Sequence, residues 1–144
     1  EHGDSSFVPW DHAYIGCKKV IDVMKDRNED ISKLNKIHKG VVEAAYEIIE
    51  KKKATYYGIG MALNRIVRAI LDNENSIITV SAYLKDGVYG QDDIYIGVPA
   101  VINSNGVREL LELELNEEEQ EKLNNSCNII KSMREESIDK IING

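Results

Sequence analysis

Apolar and polar side chains alternate in three segments near the middle of the chain, and this pattern constrains the fold more than any other feature. The segments are residues 78–84, 94–102 and 111–115, and the turn sequences Asp86-Gly87 and Asn103-Ser104-Asn105-Gly106 separate them. Alternation with a period of two predicts strands that bury one face. Because short connections join neighbouring strands in antiparallel order, we expect an antiparallel sheet whose apolar face is covered by other elements.

A proline changes what is expected of the second alternating segment. Pro99 lies within the second segment, and proline cannot donate a hydrogen bond to a neighbouring strand. We therefore expect this strand at an edge of the sheet or bulged near Pro99. Closer to the start of the chain, residues 13–17 predict a further strand, and the polar residues 25–28 predict a loop.

Three segments show helical patterns. From residue 31 to about residue 52, apolar side chains recur at steps of three and four, which predicts an amphipathic helix. A second helix is expected from about Tyr56 to Leu71, and its apolar residues cover most of its circumference, which is typical of a buried central helix. Asn116 and Glu119 have the spacing of a capping box at the start of a third helix. That helix is expected to direct five residues towards the core: Leu123, Cys127, Ile130, Met133 and Ile141.

One antiparallel β-sheet packed with three long α-helices predicts an α+β fold, in a single domain that covers residues 1–144. The net charge of -7 argues against nucleic acid and against an anionic membrane surface as partners. No apolar run approaches the length that crosses a bilayer. Cys17 and Cys127 are isolated, so we expect packed thiols, and no cluster with metal-ligand spacing is visible.

Four residues are candidates for chemistry, although each residue type also has an ordinary structural interpretation. His2 follows one acidic residue and precedes another, so it is either a surface residue or an acid–base group. Thr55 interrupts the helical pattern and suits a helix cap or a kink. Ile59 suits core packing, and Tyr46 suits an amphipathic position at the edge of a domain.

Three stretches of the chain read Glu1-His2-Gly3-Asp4-Ser5-Ser6-Phe7-Val8-Pro9-Trp10, Ala44-Ala45-Tyr46-Glu47-Ile48-Ile49-Glu50 and Ala54-Thr55-Tyr56-Tyr57-Gly58-Ile59-Gly60-Met61-Ala62-Leu63. These stretches resemble bacterial L-lactate dehydrogenases, which are members of the lactate/malate dehydrogenase superfamily. The resemblance covers only the C-terminal half of that family, so it implies the substrate-side domain. No GxGxxG motif follows a strand, and the N-terminal Rossmann domain that binds NAD is therefore expected outside this chain.

The resemblance implies a role for each candidate residue. His2 is implied to be the proton donor and acceptor for the substrate oxygen, a role that suits an imidazole because it titrates near neutral pH. Thr55 is implied to line the substrate pocket beside the small group of pyruvate, and Ile59 to pack against the nicotinamide ring. Tyr46 matches a tyrosine close to the active-site loop. There it is implied to be a modification site or a residue that contacts active-site residues without contacting the substrate. The carboxylate that pairs with the histidine in the family is expected upstream.

The implied function is that of an NAD-dependent L-lactate dehydrogenase, which interconverts pyruvate and L-lactate by hydride transfer in glycolysis and fermentation. The family also implies a cytoplasmic homotetramer, with fructose 1,6-bisphosphate as an allosteric effector in many bacterial members. The chain alone is expected to be inactive because it lacks the cofactor site. Two alternatives stay open: a malate or other 2-hydroxyacid dehydrogenase of the same superfamily, and a non-catalytic module for oligomerisation or folding.

Overall fold

A computed structural model describes residues 4–143, which divide into two compact units. The first unit comprises the chain up to Thr55 together with residues 115–123, and the second comprises residues 56–114 together with the chain from residue 124 onwards. Most of the buried core lies in the second unit, which contains the sheet. In the first unit, Leu34, Glu119 and Leu123 are buried.

Short elements open the first unit: a one-turn 3-10 helix, a two-stranded antiparallel hairpin and a helix of seven residues. Their bounds are Trp10–His12, β1 at Tyr14–Ile15, β2 at Lys18–Lys19 and α1 at Val20–Asp26. The strand predicted at residues 13–17 is thus only two residues long. The loop predicted at residues 25–28 was wrong for its first two residues, because α1 continues into them. Helix α1 has half-buried apolar residues at helical spacing: Val20, Ile21, Val23 and Met24.

Helix α2 spans Ser32–Lys52, as the periodic pattern predicts. Its first turn is stabilised by Asp30, whose carboxylate accepts a hydrogen bond from the Ser32 amide at 2.9 Å. Lys53 follows the last residue of the helix in a left-handed conformation, with φ 61°. Leu34 is the buried residue of α2, and most of the remaining apolar stripe is exposed.

The second unit contains the predicted antiparallel sheet, in the order β3-β4-β5. Helix α3 packs against one face of this sheet. The elements span Tyr57–Leu71 for α3, Ser76–Leu84 for β3, Ile94–Asn103 for β4 and Gly106–Leu110 for β5. The residues packed between helix and sheet are Ala69, Ala100 and Ile102, which are buried, and the partly buried Ile70, Ile78, Val80 and Leu110.

Helix α4 spans Glu117–Asn143, and its capping box is confirmed. The Asn116 side-chain oxygen accepts a hydrogen bond from the Glu119 amide at 3.0 Å, and the Glu119 carboxylate accepts one from the Asn116 amide at 3.2 Å. The core prediction holds for Leu123, Cys127 and Ile130, and it was wrong for Met133 and Ile141, which are exposed. At 1.5 Å per residue the 27 residues of α4 extend about 40 Å. With α2, α3 and the sheet, α4 completes the predicted α+β fold.

Pro99 lies in the central strand of the sheet, so the prediction of an edge position was wrong. It is paired with Thr79 of β3, and its carbonyl oxygen accepts a hydrogen bond from the Leu111 amide at 2.9 Å. The nitrogen and the carbonyl of one strand residue point to the same neighbour, so the missing N–H of Pro99 faces the β5 side. The ladder with β5 ends at the Ala100–Leu110 pair, and Pro99 therefore removes no ladder hydrogen bond. The predicted bulge is present two residues further along.

Strand β5 begins five residues earlier than the alternating segment 111–115 that predicted it, and it ends directly before that segment. That segment still alternates between half-buried and exposed residues, but it forms no ladder. The Tyr89 hydroxyl donates a hydrogen bond to the Leu111 carbonyl at 3.0 Å and accepts one from the Leu113 amide at 2.9 Å. The Glu112 carboxylate accepts a hydrogen bond from the Tyr89 amide at 2.6 Å. The buried Tyr89 thus makes the hydrogen bonds that a neighbouring strand would otherwise make with this segment. The alternating pattern indicated which residues are buried, but it did not indicate their hydrogen-bond partners.

Helix α3 has the predicted length, but it is not a buried central helix. Ala69 is its buried residue, and Ile66 and Ile70 are half-buried. The prediction was wrong because only one side of α3 packs against the sheet, whereas apolar residues surround the helix. Six large side chains are consequently exposed: Tyr57, Ile59, Met61, Leu63, Val67 and Leu71.

Candidate active site

Two hydrogen bonds join the segment that follows His2 to helix α2, within the first unit. The Tyr46 hydroxyl donates to Asp4 Oδ1 at 2.6 Å, and Ser6 Oγ lies 3.3 Å from His38 Nε2. The two pairs are 42 and 32 residues apart along the chain. Helix α2 therefore holds residues 4–6 at two points.

The held segment runs antiparallel to α2. Tyr46 is eight residues closer to the C-terminal end of the helix than His38, which corresponds to about 12 Å at 1.5 Å per residue. The chain thus moves towards the C-terminal end of α2 as it runs back from Ser6 to Asp4. The candidate proton donor, His2, lies outside the described residues 4–143.

Thr55 lies in the loop after α2, in the same unit as Asp4 and Tyr46. It is exposed, and the residue at the N-terminal cap of α3 is Tyr56, without a side-chain cap hydrogen bond. The interpretation of Thr55 as a helix cap is therefore wrong. The left-handed Lys53 makes the break after α2, and Thr55 presents a hydroxyl and a methyl group beyond the end of that helix.

Ile59 lies in the first turn of α3, in the second unit, and is 57% exposed. An isoleucine with this exposure contributes little to a core, so the core-packing interpretation fails for this unit. Gly58 and Gly60 flank it, and a Cβ added at either position would meet no heavy atom within 4 Å other than those of its chain neighbours and of the nearby helix backbone. The surface around Ile59 is therefore open and apolar.

The contacts of Asp4, Ser6 and His38 were missed at the sequence level. Neither Asp4 nor His38 is among the four candidate residues that the sequence suggests. No local pattern links residues 32 or 42 positions apart. The one usable signal was that His38 and Tyr46 are eight residues apart on one helix, so that they lie only about 80° apart around its axis.

The second unit contains a surface cavity of about 410 Å³ between β4 and α4, but its polar groups are bonded to one another. The Tyr83 hydroxyl lies 3.1 Å from Asp93 Oδ1, and this hydrogen bond to a carboxylate raises the pKa of Tyr83. Arg134 donates to the carbonyl and the carboxylate of Asp93 at 2.8 and 3.0 Å. Lys131 donates to the Gln91 side chain at 3.1 Å. These contacts account for the polar lining without a ligand.

Among the side chains that the structure describes, no group of three His, Cys, Asp or Glu is arranged to hold a metal ion. No helix within residues 4–143 combines the length and the apolar character needed to span a bilayer. Both cysteines are free thiols; Cys17 is exposed, and Cys127 is buried. The packed-thiol prediction therefore holds for Cys127, where burial raises the pKa of the thiol, and was wrong for Cys17.

Comparison with known proteins connects this arrangement to one enzyme family. The family model for the lactate/malate dehydrogenase alpha/beta C-terminal domain matches residues 1–141. The L-lactate dehydrogenase of Geobacillus stearothermophilus is 53% identical over 134 residues, and L-lactate dehydrogenase 2 of Bacillus anthracis is 55% identical over 133 residues. These alignments cover 92% and 91% of this chain and 42% of each relative.

Solved structures of lactate dehydrogenases have the same fold over this region. A lactate dehydrogenase enzyme from a Medee basin deep-sea metagenome library is 51% identical, with a TM-score of 0.86. The minor L-lactate dehydrogenase from Enterococcus mundtii, in its ligands-bound form, is 44% identical, with a TM-score of 0.85. Each comparison covers 92% of this chain and 42% of the other, so this chain spans less than half the length of the proteins it matches.

Proposed function

The chain belongs to the lactate/malate dehydrogenase family through its alpha/beta C-terminal domain, and we propose that it is the substrate-side domain of an NAD-dependent L-lactate dehydrogenase. The observation that carries the proposal is an identity of 53–55% with L-lactate dehydrogenases over 91–92% of the chain. The proposed reaction interconverts pyruvate and L-lactate. Malate or another 2-hydroxyacid is the less supported substrate, because the relatives named above are lactate dehydrogenases.

In this proposal His2 moves the proton. The protonated imidazole donates a hydrogen bond to the carbonyl oxygen of pyruvate and transfers the proton to that oxygen as lactate forms. In the reverse direction the neutral imidazole accepts the proton of the lactate hydroxyl. An imidazole serves both directions because it gains and loses a proton near neutral pH.

Thr55 and Ile59 are proposed to contact the substrate and the cofactor. When bound, NADH would supply the hydride for reduction of pyruvate and NAD would accept it in the reverse direction, and Ile59 is the proposed apolar contact for the nicotinamide ring. The exposure of Ile59 and the open surface at Gly58 and Gly60 fit the approach of a flat apolar group. Thr55 is proposed as a wall of the pyruvate pocket, because its exposed methyl and hydroxyl groups limit the space beside a small substrate and can bond its oxygen.

Other parts of the proposal concern the whole enzyme. The relatives are more than twice as long as the segment they share with this chain, and we propose that the same polypeptide contains an N-terminal Rossmann domain that binds most of the NAD molecule. The exposed apolar residues of α3 support a covering domain or subunit. A homotetramer, a cytoplasmic location, a place in glycolysis and fermentation, and a response to fructose 1,6-bisphosphate are proposed from family membership.

The direct test is an assay of the full-length enzyme with NADH and pyruvate. His2→Asn keeps a polar side chain but removes the proton donor, so kcat should fall roughly 10²–10⁴-fold. NADH affinity, measured by fluorescence titration, should change little. His12→Asn, in the same unit, is the matched control and should retain activity. Near-normal turnover by His2→Asn would show that another group donates the proton, and faster turnover of oxaloacetate than of pyruvate would favour the malate alternative.

The 144-residue chain on its own should show no turnover with NADH and pyruvate. Without a dinucleotide-binding domain, no hydride donor is held over the substrate. Activity of the purified chain, free of full-length enzyme, would contradict the proposal that another domain binds the cofactor. A full-length protein that assembles normally but reduces neither pyruvate nor oxaloacetate would favour the non-catalytic oligomerisation or folding module.

A further inference from the structure

We propose that Asp4 and Tyr46 are positioning residues for His2, because the hydrogen bond between them fixes the segment that follows the proton donor onto helix α2. This inference rests on the proposed function, in which His2 is the proton donor. It adds a role for Asp4, and it explains Tyr46 by a contact within the chain rather than by contact with substrate or cofactor.

The geometry of the Asp4–Tyr46 contact suits a fixed anchor. Its length of 2.6 Å is in the range of strong hydrogen bonds between a hydroxyl and a carboxylate. The donor belongs to a 21-residue helix, and a tyrosine side chain has only two main torsions to restrict. Asp4 is two residues from His2 in sequence, and two residues of chain span at most about 7 Å. Loss of this anchor is therefore expected to affect the proton donor through only two residues of chain.

The Ser6–His38 contact determines how large the effect should be. At 3.3 Å it is longer than the Asp4–Tyr46 contact, and Ser6 is further from His2 in sequence. If the Asp4–Tyr46 bond is removed, the segment stays attached to α2 through Ser6 but loses the described anchor closest to the proton donor. We therefore expect a partial loss of activity and not the full loss expected for His2→Asn.

The loss of activity in variants of Asp4 and Tyr46 should appear in the rate of the chemical step. A general acid must lie within hydrogen-bond reach of the atom that takes its proton, and a misplacement of about 1 Å reduces the rate by roughly 100-fold. Asp4 and Tyr46 are proposed to touch each other rather than pyruvate or the cofactor, so substrate and cofactor binding should be nearly unchanged. The expected signature is a lower kcat with little change in KM.

The test uses the full-length enzyme with NADH and pyruvate. Tyr46→Phe keeps the ring and removes the hydroxyl, and Asp4→Ala removes the acceptor; each should lower kcat by roughly 10- to 100-fold with KM for pyruvate within about twofold. Their combination should be no worse than the more damaged single variant, since both remove the same bond. Tyr14→Phe, at an exposed position of the same unit, is the control and should behave like the parent enzyme.

Asp4→Asn separates positioning from charge. Asparagine keeps a side-chain oxygen that accepts the Tyr46 hydroxyl hydrogen bond, so this variant should retain most of kcat and the pH profile of the parent enzyme. If Asp4→Asn loses as much activity as Asp4→Ala and shifts the pH profile, Asp4 acts through its charge and the proposal is overturned. Unchanged kcat in Tyr46→Phe, or strictly additive losses in the double variant, would also overturn it. Failure of the proposed function is distinguishable, because His2→Asn would then retain activity as well.

Discussion

Replacing Tyr89 by phenylalanine should destabilise the protein even though the ring stays buried. Tyr89 is 5% exposed and has a left-handed backbone, with φ 55° and ψ 24°. That conformation is unfavourable by roughly 1–3 kcal/mol for a residue with a bulky side chain, so the surroundings must hold it in place. They do so by burying the ring and by hydrogen bonds of the amide to Glu112 and of the hydroxyl to Leu111 and Leu113.

The size of the fall in the free energy of unfolding follows from the two backbone groups that the Tyr89 hydroxyl contacts. In Tyr89→Phe the Leu111 carbonyl and the Leu113 amide both lose this partner, at 3.0 and 2.9 Å. A typical hydrogen bond contributes about 0.5–1.5 kcal/mol net, and a buried group left without a partner costs about 1–3 kcal/mol. Because Leu111 and Leu113 are half-buried, water can reach part of this site. We therefore expect the free energy of unfolding to fall by about 1–3 kcal/mol.

Thermal unfolding of the full-length enzyme, combined with hydrogen exchange at the Leu113 amide, measures both the global and the local effect. A loss of this size should lower Tm by roughly 2–4 °C per kcal/mol for a domain of this length and should speed exchange at Leu113. Tyr95→Phe is the matched control, because Tyr95 is 64% exposed and its hydroxyl makes no hydrogen bond within residues 4–143. The reasoning is refuted if Tyr89→Phe and Tyr95→Phe have the same Tm and hydrogen exchange at the Leu113 amide is unchanged.

Four further outcomes are expected. Thr55→Gly in the full-length enzyme should raise kcat/KM for a longer 2-oxo acid relative to pyruvate by roughly 10–200-fold, and an unchanged ratio would remove Thr55 from the pocket. The isolated chain should form dimers or larger species in light scattering, and Leu71→Lys on exposed α3 should reduce them; a clean monomer of the parent chain would contradict this. A thiol reagent should modify exposed Cys17 quickly and buried Cys127 only on unfolding, and equal rates would be inconsistent with the burial of Cys127. Hydrogen bonds from a serine hydroxyl and an arginine lower the pKa of Glu74 below its ordinary 4.5. Glu74→Gln should therefore have a lower Tm than the parent at neutral pH, and this difference in Tm should disappear as the pH falls below about 4.5. A difference in Tm that does not depend on pH would exclude this cause.

Patterns confined to neighbouring residues predicted most elements. The helical stripe located α2 to within one residue of Ser32–Lys52, and the spacing of Asn116 and Glu119 predicted the start of α4. These features depend on contacts within one or two helical turns, which a sequence displays directly. The position of β5 could not be read in this way, because Pro99 and Tyr89 decide where the ladder ends and both are distant in sequence.

For the candidate site, residue types and the family resemblance were enough to single out His2, Thr55 and Ile59, and these roles stay predictions. The tertiary structure alone showed that Asp4 is bonded to Tyr46. The sequence by itself determined the α+β class, the antiparallel strands and the family, since periodicity and motifs are properties of the linear chain. Only the tertiary structure decided which distant side chains meet and which apolar faces stay uncovered, because the partner of a hydrogen bond depends on how separate elements pack and not on any repeat along the chain.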